Sequence, residues 1–120
     1  MIDHIGIRVS DYERSKRFYT LVLAPLGYSL MMEGTSGAGF HKEAIPDFWI
    51  KAGLPTPPVH VAFSSPDRAT VDAFHRAAIA AGAADNGPPG LRPHYHPSYY
   101  GGFVLDPDGY NIEAVCHRPE

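Results

Sequence analysis

The chain has 120 residues, of which 44% are apolar, with a net charge of −3 and one cysteine. Its length suits a single domain, 1–120, with a real core, and its charge offers no electrostatic footprint for nucleic acid or an anionic membrane. Cys116 has no internal disulfide partner, no stretch approaches the roughly 20 apolar residues that span a bilayer, and the N-terminus lacks a signal peptide's apolar run, so a cytoplasmic protein is expected.

The first strand is expected at about 3–9. There Ile5, Ile7 and Val9 share one face by the period-2 rule, and His4, Gly6 and Arg8 share the other. Ser10 and Glu13 read as a Ser-x-x-Glu capping box. The helix behind it should run to about residue 23, with Tyr12, Phe18, Tyr19 and Val22 as core contacts. Three short strands follow, at about 27–33, 38–43 and 47–51, split by glycines and Pro46. Residues 54–58, Leu-Pro-Thr-Pro-Pro, form a stiff connection between a first module, about 1–53, and a second, about 59–117.

The second module opens with a strand at about 59–64, whose apolar face is Val59, Val61 and Phe63 and whose other face carries His60. Its helix should start with Ser65 as N-cap, Pro66 at the first helical position and Asp67 in the first turn, and stop near Gly82. Residues 86–97, rich in glycine, proline and histidine, read as a loop, with at most a brief strand before it. Strands at about 99–105 and 110–116 are joined by Asp106-Pro107-Asp108-Gly109, which is strong turn chemistry. In the last strand Glu113 is opposed to Ile112 and Ala114.

The two modules repeat one pattern. His4 and His60 stand 56 positions apart, as do Asp11 and Asp67, and Phe18 and Phe74, while Gly27 and Gly82 are offset by 55. Two similar supersecondary units of about half the chain each follow from this.

His4, His60 and Glu113 each lie on the less apolar face of a strand. Two histidines and one carboxylate can hold a divalent metal on one side and leave the other open to substrate. The plainer alternatives are imidazoles bonded to carbonyls and a solvated strand carboxylate. The stretch 92–100 precedes the strand pair that carries Glu113 and is placed to fold over it as a lid. In it His96 and Tyr100 are the candidates for proton transfer, with His94 and Tyr99 beside them. The alternative there is tyrosines that pack and histidines that are merely exposed. Arg8 shares the His4 face and is placed to meet an anionic substrate or Glu113. Trp49 is either an apolar wall of the site or core, and His41 is a further candidate for its lining.

The strand-borne histidines, the two βαβββ halves and the ending Gly102-Phe103-Val104-Leu105-Asp106-Pro107-Asp108-Gly109-Tyr110-Asn111-Ile112-Glu113 resemble the vicinal oxygen chelate superfamily over essentially the whole chain. That group includes glyoxalase I, extradiol dioxygenases and bleomycin-resistance proteins. The resemblance implies an α+β fold in which two βαβββ modules form a cup-shaped, mostly antiparallel sheet with helices outside. It implies one divalent metal (zinc, nickel, iron(II) or manganese) held by His4, His60 and Glu113, and a small-molecule substrate with neighbouring oxygens. It also implies a homodimer, in which His4 of one chain can meet His60 and Glu113 of the other. Glyoxalase I-like members have a fourth ligand, a glutamate on the last strand of the first module. Here Trp49 or Ile50 falls at that place, and Asp47 and Glu43 are the nearest carboxylates. The implied activities are a glyoxalase I-like lyase or isomerase, an extradiol iron dioxygenase, or metal-free ligand sequestration of the bleomycin-resistance kind, and the first is preferred.

Overall fold

A computed structural model describes residues 2–43 and 45–120. The element order is β1 (Ile5–Val9), α1 (Tyr12–Val22), a 3-10 turn (Ala24–Leu26), β2 (Ser29–Glu33), β3 (Gly37–His41), β4 (Phe48–Ala52), β5 (His60–Ser64), α2 (Arg68–Ala80), β6 (Ala84–Leu91), β7 (Tyr100–Leu105) and β8 (Asn111–Cys116). Two four-stranded mixed sheets result, ordered β1-β4-β3-β2 and β5-β8-β7-β6. In each, one parallel pair, β1 with β4 or β5 with β8, is joined to two antiparallel pairs. The expected pair of βαβββ units is present. The cup is not one closed sheet, because the two sheets remain open and separate.

The repeat is visible in the local chemistry. Asp11 and Asp67, 56 positions apart, both cap a helix, accepting from the Arg14 and Thr70 backbone N–H groups. Phe18 and Phe74 are both buried under their sheets. Gly27 and Gly82 both adopt left-handed backbone (φ 85° and 96°), the conformation that ends a helix or turn at little cost for glycine. Both caps differ from the sequence expectation. Ser10 does not cap α1, because its N–H and its hydroxyl both bond the Asp108 carboxylate in the other module. Ser65 does not cap α2, because its hydroxyl bonds the Asp67 carbonyl.

The stretch expected to be a loop from residue 86 is a strand to Leu91, through Pro88 and Pro89. It lies at the sheet edge, where a missing N–H disturbs no second neighbour, and its register shifts twice against β7.

The inward faces of both sheets share one core. Ile7 and Val9 of β1, Phe48 and Ile50 of β4, and Val61 and Phe63 of β5 all point into it. An aromatic chain crosses the boundary between modules: Tyr19 meets Phe48 with centroids 4.9 Å apart, Phe48 meets Phe63 at 5.2 Å, and Phe63 meets Tyr28 at 5.4 Å. The Asp106–Gly109 turn ties the modules with polar bonds. Tyr19 donates its buried hydroxyl to Asp106 Oδ2 at 2.5 Å, and Asp106 Oδ1 accepts the Asp108 and Tyr110 N–H groups. Tyr110 in turn donates its hydroxyl to the Arg8 carbonyl. With the inward faces packed together, His4, Gly6, Arg8, Trp49 and Lys51 face outward from one sheet. His60, Ala62, Ser64 and Glu113 face outward from the other.

Candidate functional site

β5 and β8 run parallel, with His60 opposite Asn111 and Ala62 opposite Glu113. This register places the histidine and the glutamate two residues apart on one face. His60 Nε2 lies 3.0 Å from Glu113 Oε1. His60 is about half exposed (48%), whereas Glu113 is buried (1%). His60 Nδ1 lies 3.1 Å from the Asn111 carbonyl oxygen. A carbonyl only accepts, so Nδ1 carries the ring proton in the neutral imidazole, and the Nε2 lone pair faces the carboxylate. A lone pair and a carboxylate oxygen in contact need a proton or a cation between them. The second carboxylate oxygen, Oε2, accepts the Tyr99 hydroxyl. Burial, followed by this bond to Glu113, pushes the Tyr99 phenol well above its ordinary range, so it remains a donor at neutral pH.

Two neighbours shape the pair. Gly101 lies beneath it: a Cβ there would stand 2.9 Å from Glu113 Oε2 and 3.0 Å from Tyr99 Cε1, so a larger residue would have to displace one of them. Phe103, paired with Glu113 across β7 and β8, stacks on the His60 ring at 23° and 6.2 Å, with the Arg92 guanidinium on the Phe103 ring.

His4 is brought only part of the way. It lines a cleft of about 330 Å3 between the edge strands β1 and β5, together with His60, Tyr28 and Asp47. Its Nδ1, however, is paired with Asp3 at 2.6 Å, and no group of three His, Cys, Asp or Glu side chains converges among the described residues. Arg8 and Trp49 border a second cleft, of about 430 Å3, on the outward face of the first sheet.

The strand pairing also settles which residue takes the place of Glu113 in the first module. Glu113 pairs with the residue two after His60, and the residue two after His4 is Gly6, which pairs with Trp49. No carboxylate stands at that position. Asp47 accepts from the Tyr28 hydroxyl and pairs with His41 Nε2, both at 3.1 Å, and Glu43 donates its N–H to His41 Nδ1. His41 and Asp47 therefore belong to a cluster of their own.

The loop candidates separate by strand parity. Tyr100 points to the helix side, donating to Asp72 of α2 and lying under Arg68. Tyr99 is the tyrosine that meets Glu113. His96 accepts the Ser98 N–H at Nδ1 and packs on His117, which packs on Tyr99. Tyr95 lies between Tyr99 and His94. His117 and Phe103 lie outside the candidates that the sequence offers. Phe103 was findable by parity with Tyr99, while His117, beyond the last strand, carries no local signal.

A fit of this site to a metal can be judged from the donor set. Two donors about 2.1 Å from one ion and at right angles to each other are about 3.0 Å apart, which is the His60–Glu113 separation. The second donor nitrogen is held by a carbonyl and the second carboxylate oxygen by a phenol, as metal ligands commonly are. His60 and Glu113 thus fit two positions around a divalent ion, while His4 Nδ1 is paired with Asp3 and does not converge on them.

The sequence model of the glyoxalase/bleomycin resistance protein/dioxygenase superfamily matches residues 1–114. A glyoxalase/bleomycin resistance protein from Albidiferax ferrireducens T118 is 30% identical, covers 98% of both chains and superposes with a TM-score of 0.81. A glyoxalase/bleomycin resistance protein/dioxygenase family enzyme from Burkholderia phytofirmans PsJN shares the fold at 18% identity, 98% coverage of both chains and a TM-score of 0.75. A glyoxylase/bleomycin resistance protein/dioxygenase domain from Frankia sp. EAN1pec does so at 19%, 98% of both chains and 0.73. No curated protein sequence matches the chain. No helix among the described residues is long and apolar enough to cross a membrane.

Proposed function

Because the chain belongs to the glyoxalase/bleomycin resistance protein/dioxygenase superfamily, we propose that it is a metal-dependent enzyme for small molecules with two neighbouring oxygens. The observation that carries this reading is the His60–Glu113 pair, with a lone pair and a carboxylate oxygen 3.0 Å apart and both outer atoms already bonded. His4 is the proposed third ligand. Zinc, nickel, manganese and iron(II) all accept such nitrogen and oxygen donors. When bound, the ion would supply Lewis acidity and a template for a bidentate substrate.

The chain's own groups have separate tasks in this proposal. The Asn111 carbonyl fixes the His60 ring. Tyr99 holds Glu113 Oε2 and keeps its own proton. Arg8 and Trp49 hold the substrate beside His4. His96, with its neutral-form proton on Nε2 because Nδ1 accepts from Ser98, is the proposed proton carrier, its ring packed on His117, which packs on Tyr99. The preferred reaction is proton movement between adjacent carbons, as in a glyoxalase-type lyase or isomerase. A second reading, an iron(II) dioxygenase, is favoured by Trp49 at the place of a fourth ligand. Two histidines and one carboxylate leave open positions suited to substrate and oxygen.

We also propose a homodimer in which His4 of one chain completes the site of its partner. Within one chain His4 shares a cleft with His60, but Glu113 does not line it, and His4 Nδ1 is paired with Asp3 instead. Mixing inactive His4→Ala and Glu113→Ala proteins under subunit exchange should restore one complete site per heterodimer. No recovery despite demonstrated exchange would place each site within one chain.

To separate the reactions, protein stripped of metal would be reloaded with each candidate ion. Metal-dependent deuterium uptake by a hydroxyketone in D2O, without oxygen use, supports the lyase or isomerase. Oxygen consumption on a catechol with iron(II) alone supports the second reading. Neither activity with any ion, together with tight binding of an aromatic cation by metal-free protein, refutes both.

A further inference from the structure

The outward face of the first sheet carries two cations side by side. Arg8 and Lys51 are cross-strand partners in the parallel β1–β4 pair, so both leave the same face. Like charges so placed repel. Among the described residues neither head forms an ion pair. Both border the cleft of about 430 Å3, in whose lining there is no Asp or Glu. That volume falls in the usual range for small-molecule sites, about 300–1,000 Å3.

The cleft has a flat apolar wall. A Cβ on Gly39 would stand 2.9 Å from Trp49 Cη2 and Cζ3, so this glycine lets the indole lie down on β3. Gly6, the register partner of Trp49, adds no side chain above the sheet. The Arg8 stem is seated as well, since its Cδ would be 3.4 Å from a Cβ on Gly53. His4 lies at the opposite end of the cleft from Arg8. Four steps along extended backbone separate them, about 13 Å.

We propose that this cleft binds a planar molecule bearing an oxyanion, with the oxyanion on Arg8 and Lys51, the plane against Trp49 and the far end at His4. Arg8 supplies a fork that matches a carboxylate or phosphate, and Lys51 a second point charge. The spacing selects a substrate about as long as an aromatic ring with a side chain, longer than a three-carbon hydroxyketone. The inference deepens the proposed function, and rests on its reading of this cleft as the substrate side of the site.

Trp49 is the only tryptophan of the chain, so its fluorescence reports on this cleft alone. Metal-stripped protein would be titrated with 4-nitrobenzoate, 4-nitrophenyl phosphate and the neutral 4-nitrobenzamide, with correction for probe absorbance. Quenching should half-saturate at least tenfold earlier for the anions than for the amide at low salt. The preference should weaken as salt is added. In Arg8→Gln/Lys51→Gln it should fall to within twofold, while the amide still quenches. A stronger phosphate ester would identify a dianion as the natural group, and a stronger benzoate a carboxylate. Equal binding of anion and amide by the wild type, or an unchanged preference in the double variant, would overturn the inference. The Glu113→Ala protein should retain the preference, because the test needs no metal. A chain that binds no metal yet keeps this preference would therefore sink the metal reading alone. A chain that binds metal without the preference would sink this inference alone.

Discussion

Replacing Tyr19 by Phe removes one hydroxyl and tests how the two modules are joined. Tyr19 is fully buried and Asp106 is 5% exposed. The lost bond is a hydrogen bond to a carboxylate, worth about 2 kcal/mol when its partner remains buried. For a chain of this length, with an unfolding entropy of about 2.1 cal/mol/K per residue, that corresponds to a fall in Tm of about 8 °C. The sign of the pH dependence follows from Asp106. Burial raises its carboxyl above the usual range, while Tyr19 and the Tyr110 and Asp108 amides pull it back. The folded state therefore holds this proton more tightly than the unfolded chain, and ionising Asp106 costs stability as the pH rises from about 4 through the folded value. Without the Tyr19 hydroxyl the folded value rises further. The destabilisation should be full at pH 7 and shrink as the pH falls toward 4. Thermal or urea unfolding of both proteins at pH 7 and pH 4.5 measures it. A Tm change under about 1 °C at pH 7, or an equal loss at both pH values, would refute the reasoning.

Gly101→Ala should leave the fold nearly intact but displace Glu113 or Tyr99, because its Cβ would meet both. Metal affinity by chelator competition should fall at least tenfold, and an unchanged value would show that the pair can shift freely. Tyr99→Phe leaves Glu113 Oε2 buried without its donor and should lower stability by about 1.5–3 kcal/mol in urea unfolding. The loss should be partly recovered with saturating metal, since an ion bound only by the folded state stabilises it. Phe48→Ala, at the centre of the aromatic chain between modules, should cost about 3–5 kcal/mol, and a loss below 1 kcal/mol would place the inter-module packing elsewhere.

Much of the fold was legible because its signals are local. Alternation marked β1, β5 and β8, and helical spacing found Tyr12, Phe18, Tyr19 and Val22, all buried. What was missed depends on distant partners. Ser10 looked like a cap, but Asp108, far along the chain, takes its hydroxyl and leaves Asp11 to cap α1. Pro88 and Pro89 argued for a loop, and only an edge position lets them lie in β6. Asp-Pro-Asp-Gly predicts a turn, and that turn is also the clamp between modules. At the site, parity identified the faces of His60 and Glu113 correctly. The choice between Tyr99 and Tyr100 required the β7–β8 register, and the position of Trp49 opposite Gly6 required the β1–β4 register.

The central claim is that His4, His60 and Glu113 together hold one divalent ion. Metal content and affinity would be measured after stripping and reloading wild type, His4→Ala, His60→Ala and Glu113→Ala, with folding checked by circular dichroism. The account predicts one ion per chain in the wild type and a loss of at least tenfold in affinity in each variant, with binding weakening at acid pH as the imidazoles take up protons. Equal metal content in all four folded proteins would contradict it.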